Sequence, residues 1–169
     1  MELPDLPLTG GCQCGALRYR ITARPTTLYC CHCTECQAQA ASAFGMSLRV
    51  PGEGIEMTGA RLEWVRGEGE GAVVCVACAR CGSRIAHLGR ARSGDASIKA
   101  GSLDERGWLR PVGHIWTGSA QEWVRASGLL DGLIYEGQPE DGFAALRNAF
   151  GRANAQAAEP ASAGPADAR

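Results

Sequence analysis

Nine cysteines in 169 residues fall into three groups. Cys12 and Cys14 form a C-x-C pair. Cys30, Cys31, Cys33 and Cys36 crowd together around His32, and Cys75, Cys78 and Cys81 follow at three-residue steps. An odd count sits badly with a closed disulfide framework, whereas clustered reduced thiols hold metal. A structural zinc takes four thiolates in a tetrahedron at about 2.3 Å. Two residues between Cys78 and Cys81 let both sulfurs of a knuckle turn toward one ion, and Gly82 suits the turn that follows. Cys12 and Cys14 can supply the other two ligands. Closing so long a loop removes unfolded-state entropy, so metal binding there becomes partly folding free energy.

Cys31, Cys33 and Cys36 remain as C-x-C-x-x-C. Three ligands on one short segment can hold a zinc and leave its fourth position open to water or substrate, which is the mark of a catalytic site. His32 is the rival for that position, although neighbours in an extended segment point to opposite faces. Blander readings stand beside this one. The set could be one structural site plus spare buried thiols, or a redox pair, although no βαβ pattern surrounds either C-x-x-C. Cys30 and Cys75 read as small buried hydrophobes, Cys75 alternating with Val73. His87 and His114, in apolar strands, read as structural histidines. Trp64, Trp108, Trp116 and Trp123 read mainly as core, with one of them free to line a pocket.

The elements that must position these groups are mostly strands. Gly15–Ile21 alternates, with Leu17, Tyr19 and Ile21 on one side, and Phe44–Val50 alternates up to Pro51-Gly52. Leu62–Arg66 and Ala72–Val76 flank a glycine-rich stretch and read as a hairpin. Ser97–Ala100 and His114–Trp116 are further short strands, while residues 1–10 read as a lead-in. Short strands separated by turn signals predict a mainly β domain. Phe143, Leu146 and Phe150 recur at helical spacing, with Asp141 as cap, which predicts a C-terminal helix over 140–151. From residue 152 the chain has small residues, prolines and almost no bulky apolar group, which predicts a disordered tail over 152–169.

Net charge is −1, so neither nucleic acid nor an anionic membrane is an expected partner. No apolar run is long enough to span a bilayer. The N-terminus lacks the basic start and apolar stretch of a secretory signal, so a cytoplasmic location is expected.

Gly11-Cys12-Gln13-Cys14-Gly15-Ala16-Leu17-Arg18-Tyr19 resembles the opening of the glutathione-dependent formaldehyde-activating enzyme and centromere protein V family. Cys31-His32-Cys33-Thr34-Glu35-Cys36-Gln37 is similar to that family's C-H-C-x-x-C, and Cys78-Ala79-Arg80-Cys81-Gly82-Ser83 to its C-x-x-C-G-S. Gly101-Ser102-Leu103-Asp104, Pro111–Trp116 and Ser119 with Trp123 resemble its later signatures. The resemblance runs over 9–139. It implies an all-β, β-tent-like arrangement of zinc-bound antiparallel sheets with two zinc ions per chain. One ion would sit on Cys12, Cys14, Cys78 and Cys81. The other would sit on Cys31, Cys33 and Cys36, the catalytic group. Cys30 and Cys75 stand outside the family pattern.

The activity implied is that of a carbon–sulfur lyase joining glutathione and formaldehyde into S-hydroxymethylglutathione, with a small-molecule thiol and an aldehyde as partners. Arg18, Arg49 and Arg84 are candidates to meet a glutathione carboxylate. The alternative is a non-catalytic zinc-binding module that mediates protein interaction, as the centromere-protein branch suggests. The chain lacks that branch's long basic arms.

Overall fold

The computed structural model describes residues 2–89 and 94–158. Eleven strands form two sheets. In chain order they are β1 (Leu8–Gly11), β2 (Arg18–Ile21), β3 (Thr27–Cys31), β4 (Gly45–Pro51), β5 (Ile55–Thr58), β6 (Arg61–Arg66), β7 (Val73–Cys78), β8 (Arg84–Gly89), β9 (Asp95–Lys99), β10 (Gly113–Ile115) and β11 (Leu133–Ile134). The helices are α1 (Thr34–Ala40), α2 (Glu122–Ala126) and α3 (Ala144–Ala158). The small sheet has the order β1-β2-β5 and the large one β11-β10-β3-β4-β9-β8-β7-β6. Pairing is antiparallel throughout, except that β10 runs parallel to both β3 and β11. The fold is mainly β, as expected.

Successive side chains of a strand point to opposite faces, and the large sheet uses this to separate two environments. One face carries Leu28, Leu48, Val50, Val76, Ala86, Leu88, Ala96 and Ile98, all buried. These pack against Leu17, Tyr19 and Ile21 of the small sheet to make the main core, so the alternation in Gly15–Ile21 is realised with the predicted side inward. The other face carries a row of cross-strand partners, Trp64–Cys75–His87–Ser97–Arg49, and beside it Lys99–Ser47–Tyr29. This second face is polar where it meets the functional residues, and a smaller core of Tyr29, Ile115, Phe143 and Leu146 closes its end.

The C-terminal helix forms but begins at Ala144 rather than 140, with Phe143 just outside it in the left-handed region (φ 74°). Asp141 caps it through its carboxylate, which accepts from the Phe143 amide at 3.0 Å and the Ala145 amide at 2.7 Å. Phe143, Leu146 and Phe150 are buried. The helix does not stop at 151. It continues to Ala158, so residues 152–158 are helical where a disordered tail is expected. Alanine has the highest helix propensity, and the run after Phe150 propagates a turn already anchored by packing. The rest of that tail, 159–169, lies outside the described residues.

The tryptophans also depart from expectation. Trp64, Trp116 and Trp123 are 41%, 40% and 55% exposed, and only Trp108 packs against the core. Trp64 sits on the edge strand β6, under the Arg84 guanidinium at 4.7 Å. Cys30 and Cys75 are buried as expected, and burial pushes the Cys30 thiol up to about 12.

Phe150 joins α3 to the main core, so Phe150→Ala is expected to cost about 3–5 kcal/mol. Urea unfolding followed by circular dichroism measures this, and a loss under about 1 kcal/mol would mean the helix is not docked.

Candidate metal centres

Four thiols meet where the two sheets approach. Cys12 and Cys14 lie in the turn between β1 and β2, and Cys78 and Cys81 lie at the end of β7 and in the turn that follows. All four sulfurs lie within 4.8 Å of one another. Cys12 and Cys14 are 3.5 Å apart, and Cys14 and Cys78 are 3.8 Å apart. Tetrahedral ligands with bonds of about 2.3 Å have an edge of about 3.8 Å, so the spacing fits a soft divalent ion. Backbone amides point at the sulfurs: Leu17 donates to Cys12 at 3.2 Å and Arg80 to Cys78 at 3.4 Å. Gly82, at φ 73°, closes the second turn in the left-handed region that glycine enters freely. The Ser83 hydroxyl, 3.2 Å from Cys81, holds that thiol down near 5, favouring the thiolate a metal needs.

The second group forms at a strand-to-helix junction. Cys31 ends β3, Cys33 caps α1, and Cys36 lies in the first turn of α1. The Cys33 sulfur accepts from the Cys36 amide at 3.3 Å and lies 3.5 Å from Cys31. Gly45 pairs with Cys31 across β4, and a Cβ there would stand 3.5 Å from the Cys36 Cβ. A proton shared between Cys31 and Cys36 settles on Cys31, raising it. The same hydrogen bond brings Cys36 down to about 6, against burial and helped by the charge of Lys99. Three converging thiols with one easily ionised fit a metal ion, zinc included.

His32 turns away from this centre, in line with the alternation argument. Its Nε2 lies 2.9 Å from Nδ1 of His114, and its ring packs tilted on Phe44. Burial lowers it to about 4, so the ring is neutral. Its backbone is pinned: the amide donates to Ile115, and the carbonyl accepts from Gln37 at 2.7 Å and Ser119 at 3.1 Å. His32 and His114 are therefore structural partners that fix the C-H-C loop against β10.

The three-thiol centre opens into a cavity of about 1110 Å³. Arg49, Arg66, His87 and Lys99 bring positive or titratable groups to its wall, and Trp116 and Phe143 bring aromatic ones. Arg66 pairs with Glu35 at 2.5 Å and Arg49 with Asp95 at 3.3 Å. Trp116 has an uncommon left-handed backbone (φ 58°), and its indole donates to Gln138 at 3.1 Å. His87, expected to be structural, faces this cavity beside Arg84 at 2.8 Å, and burial lowers it to about 3. A second cavity of about 930 Å³ adjoins the first at Cys36 and Lys99 and reaches the four-thiol group at Cys12 and Cys81.

Of the candidate arginines, Arg49 reaches the three-thiol cavity, while Arg18 and Arg84 line the second. Arg66 and Lys99 also line the cavity, with no sequence signal to mark them. Their convergence depends on register between β6, β7, β8 and β9, which no local pattern announces.

A mainly β domain with a four-thiol group at a sheet junction and a three-thiol group at the wall of a cavity defines a protein with two candidate thiolate metal centres. The model of the glutathione-dependent formaldehyde-activating enzyme family matches residues 7–119, and the chain belongs to that family. Among solved structures, a Rhodobacter sphaeroides protein is similar, at 15% identity and a TM-score of 0.49, over 75% of this chain and 98% of that one. Among curated proteins, none matches.

The two thiol groups should respond differently to loss of a ligand. Cys78→Ser is expected to leave the chain insoluble or unfolded. Cys33→Ser should shed one metal equivalent and keep the fold, as read by elemental analysis and melting temperature. Equal collapse of both variants would refute separate roles.

Proposed function

We propose that this protein joins a small thiol of the glutathione type to formaldehyde or a related aldehyde, acting as a carbon–sulfur lyase of the S-hydroxymethylglutathione synthase kind. The observation that carries this reading is a three-thiol group opening into a cavity with arginines on its wall, in a chain of this family. In this reading zinc occupies both groups. Cys12, Cys14, Cys78 and Cys81 hold the structural ion, and Cys31, Cys33 and Cys36 hold the catalytic one.

When bound at the three-thiol group, zinc supplies positive charge that lowers the pKa of an incoming thiol. Three thiolates leave that unit with a formal charge of minus one, which weakens it as a Lewis acid toward a carbonyl. Addition of a thiol to an aldehyde is also facile without help. The protein's contribution therefore rests on holding the two reactants together. Glutathione carries two carboxylates, and Arg49 and Arg66 stand on the cavity wall to receive them by charge-assisted hydrogen bonds. The His32–His114 pair keeps the C-H-C loop, and so the thiols, in register with the wall.

A non-catalytic interaction module has less support. Its functional residues would lie on an open surface, whereas Cys31 and Cys36 are buried and give onto a cavity.

The test is formation of the thiol–aldehyde adduct from glutathione and formaldehyde, followed by exchange NMR with metal-loaded protein. Line broadening or exchange no faster than in protein-free buffer would sink the proposal. Arg66→Ala is expected to raise KM for glutathione roughly 10- to 100-fold with kcat largely kept, since a hydrogen bond to a charged group contributes about 1.5–3 kcal/mol. With 2-mercaptoethanol, which has no carboxylate, the same variant should behave as wild type.

A further inference from the structure

The seventeen Lys and Arg residues of this chain are sixteen arginines and a single lysine, Lys99. That lysine is half-buried, where lysines ordinarily stand fully exposed. It ends β9 on the polar face of the large sheet and borders both cavities, with Cys36 on each. The arginines of the main cavity are paired, Arg66 with Glu35 and Arg49 with Asp95. Among the described residues no carboxylate forms an ion pair with Lys99. Its Nζ lies 3.5 Å from Nδ1 of His87.

Arginine and lysine differ in one respect that matters here. A guanidinium stays protonated and does not attack carbonyls, whereas a desolvated lysine can lose its proton and become a nucleophile. Burial lowers Lys99 below the ordinary lysine value. The thiol of Cys36 pulls the other way, and Arg84 and Arg66 add to the lowering. A chain that uses arginine everywhere else has placed its one amine side chain beside the three-thiol centre.

We propose that Lys99 captures the aldehyde, its Nζ bonding to the carbonyl carbon and holding it as an iminium within reach of the thiol. The inference rests on the proposed function for the second reactant. The neutral amine adds to the carbonyl carbon, and the C=O π pair passes to oxygen. A proton moves from nitrogen to that oxygen. Uptake of one more proton and loss of water leave the C=N⁺ bond. The thiol gives up its proton, its sulfur adds to the carbon, and the C=N π pair returns to nitrogen. Water then replaces the amine at carbon, giving the hemithioacetal and free Lys99. The sum is thiol plus aldehyde with no change of oxidation state. Capture splits one encounter of three parties into two successive steps, which is the advantage of covalent catalysis.

The single lysine makes the test clean. Metal-loaded full-length protein is treated with formaldehyde near stoichiometry and sodium cyanoborohydride, without glutathione, and peptides are mapped by mass spectrometry. Lys99 is expected to be methylated ahead of the chain's α-amino group. Labelling of the α-amino group with Lys99 unmodified would overturn the proposal. Lys99→Arg is expected to keep its metal content and its binding of S-methylglutathione by calorimetry, while kcat falls on the order of 100-fold, the scale of a lost catalytic group. A Lys99→Arg enzyme with wild-type kcat would equally overturn it. Trapping at Lys99 in a protein that turns over no thiol upholds the capture and refutes the proposed function. Thiol turnover with Lys99 unlabelled does the reverse.

Discussion

The convergence of Cys12, Cys14, Cys78 and Cys81 is the constraint on which the rest of the structure depends. It ties the first turn of the small sheet to the β7–β8 turn of the large one, across more than sixty intervening residues. Four thiolates this close repel one another, by about 4 kcal/mol for each full pair of charges at an effective dielectric of about 20. The amide and hydroxyl donors around them offset only part of that. A soft divalent ion would offset the rest, and this is why the group makes physical sense as a candidate metal clamp. The clamp also fixes where β8 begins. β8 carries His87, and its pairing with β9 sets the rows that bring Ser97 and Lys99 to the polar face.

From that anchor the large sheet does two jobs by period-two alternation. Its apolar face closes the core against β2, and its polar face presents the cavity wall. The register leaves little freedom, because a one-residue slip in β9 would exchange Lys99 and Ser97 for Ile98 and Ala96. Buried core on one face therefore holds the cavity residues on the other in place. The smaller core around Tyr29 and Phe143 performs the same service for the three-thiol centre, since Tyr29 and Cys31 lie on the same side of β3.

What could be read in the sequence follows from how local each signal is. The two cysteine groups were legible because knuckle spacing and ligand count are local constraints, and both groups come together as read. The alternating strands β2, β4 and β9 were legible for the same reason, as was the Asp141-capped helix. β3 was not, because all five of its residues are buried and it shows no alternation. Helix α1 was hidden by its seven residues, only one of them buried. The tryptophans misled because size predicts burial only where an element has a neighbour on each side, and β6 is an edge. The helical extent past residue 151 is hidden because a lack of bulky apolar residues resembles disorder, where alanine propensity suffices.

The cavity shows how charge can be divided between recognition and chemistry. Arg49 and Arg66 are held by Asp95 and Glu35, so their guanidinium groups are fixed in direction and partly neutralised, which suits reading a planar carboxylate without trapping it. His87 is neutral and wedged among cations, so it adds a hydrogen-bonding ring and no charge. Among the described residues no carboxylate pairs with Lys99, and the Cys36 thiol, which Lys99 helps to ionise, is what counters its charge.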